Sequence, residues 1–187
     1  MTESGTDYPV ARTLQLGVNR VEDRLVLIAH TVRDGPRAAW FTRRLLRQLL
    51  NRYASFLAES SPTAAQADPA QRGEILQMEH ISALETGGDG GDNPGGASDP
   101  AAHFLVTEAH LQARKGAIVL ALDGLRRHGD GADGTARERV CALTLDRPNA
   151  HKILDVLKRK SDEAGWDLPA PSDWTEAPRP TKADTVN

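Results

Sequence analysis

The stretch WFTRRLLRQLLNRYASFL, residues 40–57, decides the fold because it carries a strand end, a helix cap and an amphipathic helix in succession. Thr42 can cap a helix, since its hydroxyl can accept a hydrogen bond from a first-turn backbone N–H. The apolar side chains that follow recur at spacings of one, three and four, which places them on one helix face. They are Leu45, Leu46, Leu49, Leu50, Tyr53, Phe56 and Leu57. The sequence therefore predicts a helix over residues 43–57 with these side chains in the core.

The segment before this helix predicts a three-stranded antiparallel meander. RTLQLGVNRV alternates apolar and polar residues, as a half-buried strand does. RLVLIAHTV is rich in branched aliphatic residues, and Asp34-Gly35-Pro36 marks a turn before the short strand AAWF. Together with the helix, residues 12–58 form a predicted βββα unit.

A second unit with the same order is predicted for residues 103–166. The strand candidates are HFLVTEAHLQAR, AIVLALDGL and ERVCALTL, and the helix DRPNAHKILDVLKRKSDEAGW follows, capped by Asp146 or Asn149. Superposing Thr42 on Asp146 aligns the apolar positions of the two helices. We therefore predict an α+β fold of two βββα units related as a pseudo-repeat; the alternative is that strands leading into capped helices resemble one another without common ancestry.

The remaining segments are predicted as connections. Residues 1–11 are polar and expected to be loose, and residues 59–85 form a spacer with an extra helix near 70–85. The Gly- and Asp-rich residues 86–102 predict a flexible linker, and the Pro-rich residues 167–187 a flexible tail. The spacing of the apolar residues in the extra helix predicts a buried face made by Ile75, Met78 and Ile81, with Leu76 and Leu84 near it.

Charge is segregated along the chain although the formal net charge is only −3. Residues 33–52 hold six arginines and one aspartate, and residues 112–160 hold eleven basic and six acidic residues. The basic residues fall mainly on the two predicted helices and their loops. The candidate contacts with an anion, a nucleic acid or a partner are Arg43, Arg44, Arg47, Arg52, Lys152, Lys158, Arg159 and Lys160. The alternative is a solvated face opposite each core stripe.

Catalytic, metal and cofactor motifs are not recognised in the sequence. The six histidines lack the i, i+4 spacing of a helical metal site, and the single Cys141 falls in a strand where a buried, inert thiol is expected. A single cysteine excludes an intramolecular disulfide, and the apolar runs are too short to span a bilayer. We expect no enzyme activity, cofactor or metal, no membrane association, and a bacterial cytoplasmic protein.

These observations favour a non-catalytic accessory or adaptor protein that acts through protein–protein contacts or self-association, for example as a homodimer. The alternative is a nucleic-acid-binding accessory protein that uses the two basic helices; the sequence pI near 6.1 and the few aromatic residues argue against it. Trp174, in the acidic tail segment PAPSDWTEAP, is a candidate docking residue for a partner's groove. It could equally rest on its own domain.

Overall fold

A computed structural model describes residues 8–86, 99–127 and 133–176 of the chain. These residues form an α+β fold with one six-stranded sheet and four α-helices. The strands are β1 (Ala11–Asn19), β2 (Arg24–Thr31), β3 (Gly35–Phe41), β4 (Ala102–Arg114), β5 (Ala117–Arg127) and β6 (Asp133–Leu145). The helices are α1 (Arg43–Glu59), α2 (Pro62–Gln66), α3 (Arg72–Glu85) and α4 (Arg147–Glu163), and short 3₁₀ helices span Pro69–Gln71 and Asp173–Glu176.

Both predicted meanders are present, but they belong to a single sheet in which the strands follow chain order. Neighbouring strands are antiparallel except β3 and β4, which pair in parallel. A parallel pair needs a long crossover, and α1, α2 and α3 all lie in the connection between β3 and β4. At the other end of the order, Val10 forms a parallel bridge with Ala142 of β6, so the segment before β1 reaches the last strand.

Helices α1 and α4 begin where the sequence predicts. The Thr42 hydroxyl accepts a hydrogen bond from the Leu45 backbone N–H, and the Asp146 carboxylate accepts one from the Asn149 N–H. Both caps satisfy backbone donors that the first turn leaves unpaired. In both cases a single cap residue separates the end of a strand from the start of its helix.

The core lies between these helices and one face of the sheet. Helix α1 contributes its predicted stripe, and alternate strand residues such as Leu25, Leu27, Phe104, Leu120 and Leu122 meet it in one buried cluster. Leu154 and Leu157 of α4 belong to the same cluster. The burial of alternate strand residues follows from the two-residue period of a strand.

Helix α3 lies where the extra helix is predicted. The predicted buried face is confirmed in part, since Leu76 is buried and Ile75 packs against the core, but it is wrong at Met78. Leu76, His80 and Ala83 are buried, whereas Met78 is 70% exposed. The burial follows an i, i+4, i+7 pattern centred on a histidine, because α3 packs on α4 through His80. A hydrophobicity pattern could not select this face, since its central residue is polar.

Two further differences concern the predicted connections. The spacer contains the short helix α2, and the loop predicted between the last two strands is partly strand, since β5 extends to Arg127 and β6 begins at Asp133. The predicted linker 86–102 falls mainly on residues 87–98, which lie outside the described residues. The first part of the predicted tail, up to Glu176, packs against the domain through Trp174.

Candidate functional site

The face of the sheet opposite the helices carries a row of apolar side chains across four strands. Val26 lies directly opposite Trp40 on β3, Trp40 opposite Leu105 on β4, and Leu105 opposite Leu125 on β5. Directly paired residues point to the same side of a sheet. We call the row Val26, Trp40, Leu105 and Leu125 the outer row.

The outer row is separate from the core. All four side chains are only partly buried, and none belongs to the buried cluster or to the apolar side chains that pack against it. Ile28 on β2 adds a fifth partly buried side chain beside Val26. Each of these side chains therefore keeps part of its surface in contact with solvent.

Polar and basic side chains hold Trp40 in place at the centre of the row. Its indole N–H donates a hydrogen bond to Nδ1 of His103, 3.1 Å away. The guanidinium of Arg127 lies over the indole ring, 4.9 Å from its centroid, and pairs with Glu22 at 2.9 Å. A fixed aromatic ring with an arginine stacked on it is typical of protein interfaces, where Trp and Arg are enriched.

The predicted basic residues divide into two groups. On α4, Lys158, Arg159 and Lys160 each pair with an acidic residue of the same helix. Such pairs neutralise charge locally and contribute little stability when exposed. Lys152 is half-buried on the same helix.

The arginines of α1 remain more available. Arg43 pairs with Asp23 at 3.0 Å and lies over the ring of Trp166. Arg44, Arg47 and Arg52 are exposed, and within the described ranges they have no ion-pair partner. Arg52 also lines a shallow groove between α1 and β4. Of the two predicted basic helices, α1 is therefore the one whose described arginines are more available to a partner.

Trp174 lies in a buried cluster on its own domain, which is the alternative that the sequence left open. It is 7% exposed and packs edge-on against the rings of His80 and His151, with centroids 5.6 and 5.7 Å away. The two histidines share a hydrogen bond between their Nδ1 atoms at 3.3 Å. We call His80, His151 and Trp174 the histidine cluster.

Charged residues border the histidine cluster. Arg147 donates two hydrogen bonds to Oε2 of Glu79, at 2.7 and 2.9 Å, and this carboxylate oxygen lies 3.8 Å from Nε2 of His151. Burial lowers the pKa of His151 to about 4, with Arg147 and His80 acting in the same direction. Burial also lowers the pKa of His80. Both imidazoles are therefore neutral near pH 7 and join α3, α4 and the tail segment.

Cys141 is buried in β6, as the sequence predicts, and burial raises the pKa of its thiol to about 12. No sequence motif predicts the outer row, because its members come from four different strands. A usable signal was present in LVLIA and AIVLAL, since continuous apolar runs indicate strands with apolar residues on both faces.

No protein-family model, no curated protein and no solved structure matches this chain. No helix in the described part of the chain has both the length and the apolar character needed to cross a membrane.

Proposed function

We propose that this protein is a non-catalytic interaction module that binds another protein, or a second copy of itself, through the outer row. The observation that carries the proposal is the alignment of Val26, Trp40, Leu105 and Leu125 on four consecutive strands, outside the core. A contiguous row of partly buried apolar side chains on an outer face is typical of an interaction surface.

The energetics favour a contact centred on Trp40. A partner that covers the row removes the remaining apolar surface from water, at roughly 25 cal/mol for each Å² buried. Trp40 needs little further ordering, because His103 and Arg127 already hold its ring. Preorganised aromatic anchors of this type account for much of the binding energy in protein interfaces.

A second copy is one suitable partner because a twofold interface places the same patch on both subunits. Both signs of charge lie near the row, since Arg127 of β5 pairs with Glu22 of the β1–β2 turn and Arg137 of β6 pairs with Glu108 of β4. A patch that is apolar at its centre and mixed in charge at its rim can be complementary to itself. Self-association through the outer row gives a homodimer.

The test is sedimentation velocity on the full chain from about 1 μM to about 100 μM, the range in which moderate association constants fall. Leu105→Arg places a charge in the row and should shift the protein to monomer. Val21→Arg is the matched control, since Val21 is an equally apolar residue that is 96% exposed in a turn. A dimer that survives Leu105→Arg would contradict the proposed surface.

A wild-type chain that stays monomeric would rule out the second copy and leave a different protein as the partner. A pull-down from native lysate after nuclease treatment then tests whether a different protein binds the outer row. A partner retained by Val21→Arg and lost by Leu105→Arg supports the module, and a partner that both variants retain contradicts it.

Nucleic-acid binding is the second candidate function, favoured by Arg44, Arg47 and Arg52 on the exposed face of α1. Guanidinium groups suit phosphate oxygens, and such binding weakens steeply with salt. We expect Arg44→Glu with Arg47→Glu to abolish binding of labelled single- or double-stranded oligonucleotides in fluorescence anisotropy. Lys158→Glu with Arg159→Glu on α4 is the control. If no salt-dependent binding is detected at low ionic strength, nucleic-acid binding is contradicted as a function of this protein.

The two βββα halves are also proposed to form a pseudo-repeat. Support comes from the equivalent junctions: Ala38 of β3 pairs in parallel with His103, and Ala142 of β6 pairs in parallel with Val10. Thr42 and Asp146 cap the helices that follow these strands. The single buried Cys141 supports the proposed cytoplasmic setting.

A further inference from the structure

Three potential metal ligands converge on the outer side of the sheet, beyond the outer row. Glu108 and His110 are alternate residues of β4 and point to the same side, while Asp123 lies directly opposite Glu108 on β5. His110 Nε2 lies 3.0 Å from Asp123 Oδ2 and 3.5 Å from Glu108 Oε2. The three ligand atoms all lie within 4.8 Å of one another. We call these residues the carboxylate–histidine cluster.

The sheet is irregular at this point. The register shifts between Val106 and Glu108 on β4, and again next to Asp123 where β5 pairs with β6. Bulges of this kind re-aim side chains and are frequent beside functional sites. Two carboxylates directly opposite each other are also unfavourable in a sheet. A positive charge between them would relieve this repulsion.

Surrounding residues orient the two carboxylates. Tyr8 donates a hydrogen bond to Asp123 Oδ2 at 2.9 Å. Tyr8 thus acts as a hydrogen-bond donor that orients this carboxylate. Arg137 pairs with Oε1 of Glu108 at 2.8 Å, while Oε2 is the oxygen that His110 approaches. Contacts of this type around a metal site fix the ligands and tune affinity.

We propose that Glu108, His110 and Asp123 bind one divalent first-row transition metal ion, with Zn²⁺ the best match. Ligands placed about 2.1 Å from an ion at tetrahedral or octahedral angles lie about 3.0–3.4 Å apart. The two separations from His110 Nε2, 3.0 and 3.5 Å, are close to this range. An imidazole with two carboxylates suits Zn²⁺ better than Mg²⁺ or Ca²⁺, which prefer oxygen ligands alone.

The ion would keep an open position toward solvent. Three protein ligands leave a four-coordinate Zn²⁺ with one site for water or an incoming group. The His110 side chain is 50% exposed and that of Asp123 is 12% exposed, so the cluster opens on the His110 side. This inference does not depend on the proposed function, although Asp123 lies two residues before Leu125 of the outer row.

The test is isothermal titration of the full chain with Zn²⁺, with Co²⁺ absorption as a second readout of the ligand set. We expect one site with a dissociation constant below about 10 μM and at least a tenfold weakening in His110→Gln and in Glu108→Gln. His30→Gln is the matched control, because His30 lies on β2 outside the cluster and should leave the affinity unchanged.

Asp123→Asn serves as a third variant if circular dichroism shows that it folds. If it does not fold, the His110→Gln and Glu108→Gln variants alone test the site. Zn²⁺ binding that persists in both His110→Gln and Glu108→Gln would overturn the proposal by locating the ion elsewhere. The same holds if no binding is detected up to about 100 μM Zn²⁺.

Discussion

Acidification is expected to destabilise the protein through the histidine cluster before the carboxylates titrate. His151 is neutral and buried in the folded chain, with a pKa near 4 instead of the ordinary 6.5. The folded state therefore binds fewer protons than the unfolded state at intermediate pH. Stability is complete above the unfolded pKa and falls as the pH drops from 6.5 toward 4.

The size of the effect follows from the two pKa values. At about pH 5 the unfolded His151 is almost fully protonated and the folded one is almost fully neutral. Linkage then gives a loss of about 2 kcal/mol relative to about pH 7.5, from this group alone. His80 adds to the loss because its pKa is lowered in the same direction. Arg147 and His80 oppose a charge on His151, while Glu79 at 3.8 Å favours one.

Urea unfolding at the two pH values, followed by circular dichroism, measures the loss. His151→Leu should remove most of the pH dependence, since leucine cannot titrate and fits a buried site. His103→Gln, a histidine change on the outer face, should retain it. A wild-type stability that is constant between the two pH values would refute the reasoning, as would a His151→Leu variant with undiminished pH dependence.

Three further changes test other parts of the structure. Gly124→Ala should lower the free energy of unfolding by about 1–3 kcal/mol, because a Cβ there would lie 2.5 Å from the Leu105 carbonyl oxygen; Gly17→Ala, which meets no atom within 4 Å, should change it little in thermal unfolding. Cys141 should resist Ellman's reagent at about pH 8 until the chain unfolds, and rapid reaction of the native thiol would contradict its burial. Trp174→Ala should cost about 2 kcal/mol or more in urea unfolding, whereas an unchanged midpoint would mean that the tail segment does not stabilise the domain.

The two helices could be predicted because their signals are local. Thr42 and Asp146 are recognisable cap residues before the first turns of α1 and α4. The apolar residues from Leu46 to Leu57 fit one face of α1, and that face is buried in the structure. Strand positions followed from alternation and turn residues in the same way. Information contained within one segment was sufficient for these elements.

The sequence allowed the two halves either to join edge to edge in one sheet or to pack face to face. It could not decide between these arrangements because the choice depends on contacts far apart in sequence. The pairing of Trp40 with Leu105 has no local signature, and neither does the bridge from Val10 to Ala142. The outer row is a product of that pairing. The sequence could show that both faces of β2 and β5 are apolar, but not which residues of other strands complete the surface.

The buried face of α3 and the carboxylate–histidine cluster were missed for a related reason. His80 is buried because His151 and Trp174 come from distant segments to meet it. Glu108 and His110 have strand spacing, and their third member, Asp123, is brought opposite by the turn between β4 and β5. A search for helical metal spacing could not find ligands arranged across two strands.

The parallel joint between β3 and β4 has a consequence for folding during synthesis. When the first meander and α1 have left the ribosome, β3 still presents an unpaired edge, because its partner begins only at Ala102. The nascent chain must pass through a stage with an open strand and an incompletely covered α1, a condition that invites misassociation. The segment at Pro9 and Val10 stays unpaired for longer than β3 does, since its neighbour Ala142 is translated after β4. The docking of the Pro9–Val10 segment onto β6 should therefore follow the pairing of β3 with β4.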